Sequence, residues 1–245
     1  MRIDDPAHVA RQYATEENLE ARRALYTDAT GPDPREITFQ AVAEMRPKRV
    51  LEVGGGPGEL AARIAGELGC DVVMVDISPR MVELAILLGV DARVGDVQSL
   101  TFQDGTFDCA VAAWMLFHVP EIDAGLAELA RVLRPSGRLV ATTNSVEHLV
   151  ELREIAGSAA WARTFTRENG AGIIGRHFDR VERRDADGWV TIDDQATVEG
   201  FVASLDADEP LEPRPYALPL RTRRASSVFV ARSSPRLQRS VASES

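Results

Sequence analysis

A chain of 245 residues, 44% apolar and 27% charged, has the profile of a globular protein with room for one large α/β domain and a small accessory element. Its formal net charge of −10 argues against a nucleic-acid substrate, because binding through counterion release from phosphates calls for the opposite sign. No apolar run reaches the ~18 residues of a membrane span, and the opening Met1-Arg2-Ile3-Asp4-Asp5-Pro6 lacks the apolar stretch of a signal peptide, so no membrane partner and a cytoplasmic location are expected.

Along the chain, residues 1–35 read as helical with a turn at Gly31-Pro32-Asp33-Pro34, and a helix follows at 36–45. Strand and helix then alternate with short connections. Strands are predicted at 49–53, 71–75, 92–94, 107–112 and 138–143, and helices at 59–68, 79–88 and 122–133. The continuous apolar character of 107–112 suits the middle of a parallel sheet. Pro79 sits in a first helical turn, where a missing N–H costs nothing. A turn at Arg134-Pro135-Ser136-Gly137 separates the helix at 122–133 from the strand at 138–143.

Beyond Asn144 the alternation fades. Helices are expected at 145–157, at 166–177 with Thr166 as N-cap, and at 195–204. Strand and turn are expected at 179–193, and a final strand at 227–231. The segment 232–245 is polar and is expected to be disordered. Pro213 to Ser245 holds seven Arg and one Glu, which reads as a solvated edge and tail ahead of a docking surface for an anionic partner.

The alternating half implies a doubly wound, mostly parallel sheet with helices on both faces. Ligands of such sheets bind beyond the carboxyl ends of the strands, near the switch in strand order. That directs attention to the loops after Val53, Val75, Val94 and Ala112.

The first of these is Val53-Gly54-Gly55-Gly56-Pro57-Gly58, a glycine-rich turn between strand and helix. Such a loop lets a ligand approach backbone with no Cβ in the way. Asp76 ends the second strand, where a carboxylate can accept from both hydroxyls of a ribose. Asp96 follows the third strand in Gly95-Asp96-Val97 and can accept from an adenine amino group, with Ile77 and Val97 as apolar neighbours of the ring. Each acid alone reads as a strand-end residue facing water; together they suit one nucleoside.

These residues carry a family resemblance. Leu51-Glu52-Val53-Gly54-Gly55-Gly56-Pro57-Gly58 is similar to the first motif of class I S-adenosylmethionine-dependent methyltransferases of the small-molecule, type 11-like group. Asp76 matches their second, acidic motif, and Gly95-Asp96-Val97 resembles their adenine-contacting loop. Phe107-Asp108, Trp114 to Pro120, and Leu133 to Leu139 resemble their fourth strand, its loop, and the turn into the fifth. Gly55 departs from the residue many members carry, and a third glycine is expected to be tolerated there.

The resemblance implies a Rossmann-like sheet of about seven strands with an antiparallel last strand. It implies S-adenosylmethionine as cofactor, with Glu52 and Gly54 holding the methionine part, Glu52 near its amino group. Gly56 and Gly58 would permit close approach, Asp76 would bind the ribose, Ile77 and Val97 would sandwich the adenine beside Asp96, and the backbone near Ala113 would face the methionine part. It implies an N-terminal helical lid over 1–45, a methyltransferase domain over 46–231 with an acceptor-side insertion around 145–225, and a small-molecule methyl acceptor bearing an O, N or C nucleophile.

Methyl transfer from a sulfonium needs positioning more than a base. His118, just after the fourth strand, is the candidate general base; its plainer role is packing under the loop. His148 is a weaker candidate. Neither these nor His8 and His177 are spaced as a metal site, so no metal is expected. Tyr13, Asn18 and Arg22 lie on the lid helices; Tyr13 and Arg22 are candidates to close the site, with Arg22 pairing a carboxylate. Trp114 is a candidate wall of the acceptor pocket, and Trp161 reads as packing. Cys70 and Cys109 make no disulfide framework. The dominance of Arg over the single Lys48 suits a GC-rich bacterial genome. Two alternatives stand beside the main reading. Gly56-Pro57-Gly58-Glu59-Leu60-Ala61 also fits a dinucleotide fingerprint and hence an NAD(P)-dependent oxidoreductase, and the fold can serve a non-catalytic S-adenosylmethionine-binding protein.

Overall fold

The computed structural model describes residues 9, 13, 17–157, 164–205 and 213–233. The expectations placed on His8, Trp161 and the tail from 234 lie outside the described residues.

Two helices, α1 (Glu17–Ala24) and α2 (Pro34–Ala43), precede the alternating part. Asp33 caps α2 by accepting from the Arg35 N–H, and Pro34 takes the first turn. Then come β1 (Arg49–Val53), α3 (Glu59–Leu68), β2 (Asp71–Asp76), α4 (Pro79–Leu87), β3 (Asp91–Val94), β4 (Phe107–Ala113), a 3₁₀ turn (Leu116–His118), α5 (Ile122–Val132) and β5 (Leu133–Asn144). The rest is α6 (Val150–Ile155), α7 (Arg167–Ile174), β6 (Phe178–Ile192), α8 (Gln195–Ala203) and β7 (Leu220–Ser233).

Seven strands form one sheet in the order β3-β2-β1-β4-β5-β7-β6. The first five pair in parallel, and β7 runs antiparallel between β5 and β6. This is the doubly wound Rossmann-like sheet that the sequence led us to expect.

The period-two alternation of the strands sorts their side chains onto two faces. Val50, Met74, Val111 and Val140 join a cluster with Phe39 of α2, Ile64 of α3 and Val82 of α4. Leu51, Val75, Ala112 and Leu139 join another with Leu126 and Leu129 of α5. Each fully buried Leu or Phe contributes ~1.5–3 kcal/mol relative to exposure, and both faces are covered, as a parallel sheet requires. A third cluster, with Leu25 just after α1, Leu152 of α6, Ile192 of β6 and Phe201 of α8, packs the remaining helices together. Among the described residues no helix is long and apolar enough to cross a membrane.

Several boundaries differ from the sequence reading. Strand β5 begins at Leu133: Leu133 pairs with Phe107 and Arg138 with Cys109, so Arg134–Gly137 bulges out of the ladder with Ser136 at φ 75°. Helices α6 and α7 are shorter than predicted, although Thr166 does cap α7 through a capping box with Asn169.

Strand β6 spans nearly the stretch read as strand and turn, whereas β7 is far longer than predicted and takes in Arg232 and Ser233, so those two positions are not part of a disordered tail. Alternating charge hid the first half of β7, the partner of β6, and both strands are rich in arginine. Their arginines are used internally: Arg221 lies over the Trp189 ring at 4.2 Å, Arg223 pairs with Glu147, and Arg184 grips both carboxylate oxygens of Glu44 at 2.8 Å. The basic run within β7 is therefore a braced strand.

Candidate active site

The carboxyl edge of the parallel strands opens into a cavity of about 740 Å³, within the ~300–1,000 Å³ typical of small-molecule pockets. It lies where the strand order reverses between β1 and β4. Every candidate residue named from the sequence lines it except Gly58 and Asn18.

Strand β1 ends at Val53 and the chain turns at once. Gly54 and Gly56 adopt φ of 62° and 58°, the left-handed region that glycine enters without steric cost. A Cβ on Gly56 would meet nothing within 4 Å, so this position presents bare backbone to the cavity. The other glycines of the loop answer to protein packing. A Cβ at Gly54 would come within 2.6 Å of Met115, at Gly55 within 2.6 Å of the Met74 sulfur, and at Gly58 within 2.6 Å of the Ala85 Cβ. Gly58 thus lets α3 begin hard against α4, which corrects the expectation that it admits a ligand. Gly55 has no spare room for a side chain beyond what Met74 can yield.

Glu52, one residue before the end of β1, is buried on the α3 side of the sheet. Its Oε2 has no hydrogen-bond partner. Burial, and then the charge of Asp76, push its carboxyl up to about 8, against the opposing backbone amide of Ala61. A buried carboxylate left incomplete in this way calls for a cation or a donor from the cavity.

Asp76 ends β2 and is also buried. Its Oδ2 accepts from the Gly56 N–H at 2.9 Å and its Oδ1 from the Ser78 N–H at 2.9 Å. Burial raises its pKa, and the amides of Ser78, Gly56 and Ile77 oppose the rise. The acid therefore braces the glycine loop it faces, a link that sequence spacing does not reveal. A carboxylate has about four lone-pair sites, so its remaining capacity suits a pair of hydroxyls.

Beyond β3, Asp96 is largely engaged by its own loop, accepting from the Gln98 backbone at 2.8 Å and from its side-chain amide at 3.1 and 2.9 Å. Ile77 is an exposed apolar side chain at the cavity wall, while Val97 is buried against the core.

On the opposite wall the Tyr13 hydroxyl sits 3.1 Å from His118 Nε2, with the rings edge to face. The Tyr13 carbonyl accepts from Ser78 Oγ at 3.1 Å, which ties the N-terminal segment to the loop after β2. Arg22 donates to the Ser204 carbonyl at 2.6 Å and so holds the end of α8. Trp114, directly after β4, is held at φ 55°. That conformation costs a bulky residue ~1–3 kcal/mol and clusters at functional sites. Its Nε1 donates to Asn144 Oδ1 at 3.1 Å, which also accepts from Ser226 Oγ at 2.8 Å.

Sequence reasoning missed Tyr26, Asn144, Arg153, Arg224 and Ser226, which all line the cavity. They come from segments without motifs and are brought in by the pairing of β5 with β7 and by the packing of α1 and α6. His148, only a weak candidate from sequence, is buried among them. Its Nδ1 accepts from the Ala225 N–H at 3.0 Å, so a neutral ring carries its proton on Nε2, facing the Tyr26 hydroxyl at 2.9 Å. Among the described residues no group of His, Cys, Asp and Glu could hold a metal ion.

The bare backbone at Gly56 and the incomplete carboxylate of Glu52 fit a donor that carries a nucleoside and a free ammonium group. Comparison with known proteins points the same way. Residues 51–141 match the family model described as a methyltransferase domain. Over 102 residues the chain is 39% identical to the ubiquinone/menaquinone biosynthesis C-methyltransferase UbiE of Teredinibacter turnerae, covering 38% of this chain and 41% of the relative. The chain spans about half the length of the curated relatives it matches. Its fold resembles a SAM-dependent methyltransferase of Thermotoga maritima (TM-score 0.59, 20% identity, 91% of this chain and 99% of the other). It also resembles phosphoethanolamine N-methyltransferase 2 of Haemonchus contortus, solved with phosphomonomethylethanolamine and S-adenosylhomocysteine (TM-score 0.64, 17% identity, 96% and 60%).

Proposed function

We propose that this chain, whose residues 51–141 match the methyltransferase domain on a class I Rossmann-like fold, transfers a methyl group from S-adenosylmethionine to a small-molecule acceptor. The observation that carries the reading is the unpartnered, buried Glu52 oxygen in the wall that Gly56 leaves bare. The match to the methyltransferase domain runs through the same glycine loop on which the oxidoreductase alternative rested.

The cofactor, when bound, supplies a methyl group activated by the positive charge on its sulfur. Glu52 receives the ammonium of the methionine part, and the Gly54–Gly56 turn lets backbone lie against it. Asp76 takes the ribose hydroxyls, while Ile77, Val97 and the remaining capacity of Asp96 define the base pocket. The backbone at Ala113 completes the methionine side. Trp114, fixed through Asn144, walls the space in which the acceptor is oriented. Orientation alone is worth roughly 7–11 kcal/mol in reactions of this kind.

His118 stands at the rim with its Nε2 on the Tyr13 hydroxyl. From there it takes the proton that an O–H or N–H acceptor must lose, and Tyr13 orients the ring. Residues 1–45, with Tyr13 and Arg22, act as a cover for the site, residues 46–231 form the catalytic domain, and residues around 145–225 line the acceptor side. Calorimetric titration with S-adenosylhomocysteine and, separately, with NAD tests the reading. Binding of the first and not the second is expected; binding of NAD alone overturns it.

A further inference from the structure

Charge is segregated within the cavity. Of the cavity acids that lack a basic partner among the described residues, Glu52 and Asp76 stand at the ends of β1 and β2, and Asp96 follows β3, held by Gln98. Asp33 is spent on capping α2 and Glu59 on Arg23. The far side of the same cavity carries two guanidinium groups, Arg153 on α6 and Arg224 on β7.

Arg224 is 5% exposed. Its Nη2 donates to the carbonyls of Thr30 and Pro32, each at 2.7 Å, and its Nε is buried with no partner. Arg153 donates to the Val146 carbonyl, and its Nε is likewise buried with no partner. Neither forms an ion pair with a described residue, whereas Arg23 and Arg63, which also line the cavity, do. Burial draws the Arg153 guanidinium below its usual range, and only the diffuse fields of Glu151 and Glu154 oppose this.

A buried cation without a counterion is expensive unless something supplies the opposite charge. The planar fork of arginine suits the paired oxygens of a carboxylate or phosphate. Apolar side chains, among them Leu25, Leu149 and Phe201, line the same cavity.

Position separates this pair from the donor side. Three strand spacings lie between β1 and β7 in the sheet order, or about 14 Å at ~4.8 Å each. Arg224 and Ser226, two apart on β7, share one face of the strand and both line the cavity.

We infer that Arg153 and Arg224 form an oxyanion-binding subsite for the methyl acceptor, which is an otherwise apolar small molecule carrying a carboxylate or phosphate group. The inference rests on the methyl-transfer reading for the word acceptor. The anion site itself stands on the arginines alone.

The test is calorimetric titration at low ionic strength, with protein both free and saturated with S-adenosylhomocysteine. The probes are phenylacetate, phenyl phosphate and the neutral phenylacetamide. At least one anion should bind ten times or more tightly than the amide, and whichever of the two binds better identifies the anion class. Arg153→Met, which gives up one backbone contact, should abolish that preference while leaving S-adenosylhomocysteine affinity within twofold. Because Arg224 also braces Thr30 and Pro32, Arg224→Lys is the companion variant, with a thermal melt to verify folding; it should weaken the preferred anion at least threefold.

Equal binding of amide and anions, or failure of all three probes to bind, overturns the inference. So does an anion preference that survives both variants. A tenfold loss of S-adenosylhomocysteine affinity in Arg153→Met also overturns it, since the guanidinium would then serve the donor's own carboxylate. If wild-type protein ignores S-adenosylhomocysteine yet still prefers the anions, the methyl-transfer reading fails and the anion site stands.

Discussion

Glu52 and Asp76 present two buried carboxylates to one cavity from neighbouring strands, and the charge on Asp76 makes Glu52 harder to ionise.

A pH dependence follows. The Glu52 pKa is raised from 4.5 to about 8 in the fold, so between those values the folded state binds more protons than the unfolded one. Stability of the free protein should therefore fall as pH rises through that window, and Glu52→Gln should flatten the fall. Binding of an ammonium-bearing ligand should ionise Glu52. Titration with S-adenosylhomocysteine near pH 7, repeated in buffers of different ionisation enthalpy, should show release of close to one proton, and Glu52→Gln should show none.

Asp76→Asn removes one acceptor from the two amides it braces and from the ribose. Leaving such groups short of a partner costs ~1–3 kcal/mol. Affinity for S-adenosylhomocysteine should drop roughly 10- to 100-fold by ~1.4 kcal/mol per decade, measured by calorimetry on protein whose melting curve is checked in parallel.

Gly56 and Gly58, the last two glycines of the loop, should separate stability from binding. Gly58→Ala places a Cβ 2.6 Å from that of Ala85 at φ 84°, so it should destabilise by more than ~1 kcal/mol and leave the affinity of the folded protein nearly intact. Gly56→Ala meets nothing in the protein, carries only the milder strain of a left-handed alanine, and should weaken the ligand. Thermal melts and titrations on both variants check the contrast.

His118→Ala should lower turnover with an O–H or N–H acceptor by ~10²–10⁴-fold if proton removal accompanies transfer. The acid limb of the pH–rate profile should vanish with it. Tyr13→Phe keeps the edge-to-face packing, loses the 3.1 Å contact to Nε2, and should show a smaller loss. Donor affinity should stay unchanged in His118→Ala.

The sequence by itself determined the parallel half of the sheet. Apolar runs such as Phe107–Ala113, punctuated by Gly and Pro, carry local signals that need no partner to be read. For the same reason Gly56 and Asp76 were legible as strand-end residues, while Glu52 was named only through the family resemblance. What only the tertiary structure decided was the cavity wall built from α6 and β7. Strand β7 opens on charge alternating with small residues, so its length shows only once Arg221 meets Trp189 on β6. Gly58 looked like a ligand contact until Ala85 was seen against it. Arg224, 194 positions from Thr30, reaches the cavity through antiparallel pairing that no local pattern encodes. Strand ends announce themselves through covalent neighbours; a pocket wall assembled from distant segments exists only when long-range packing closes it.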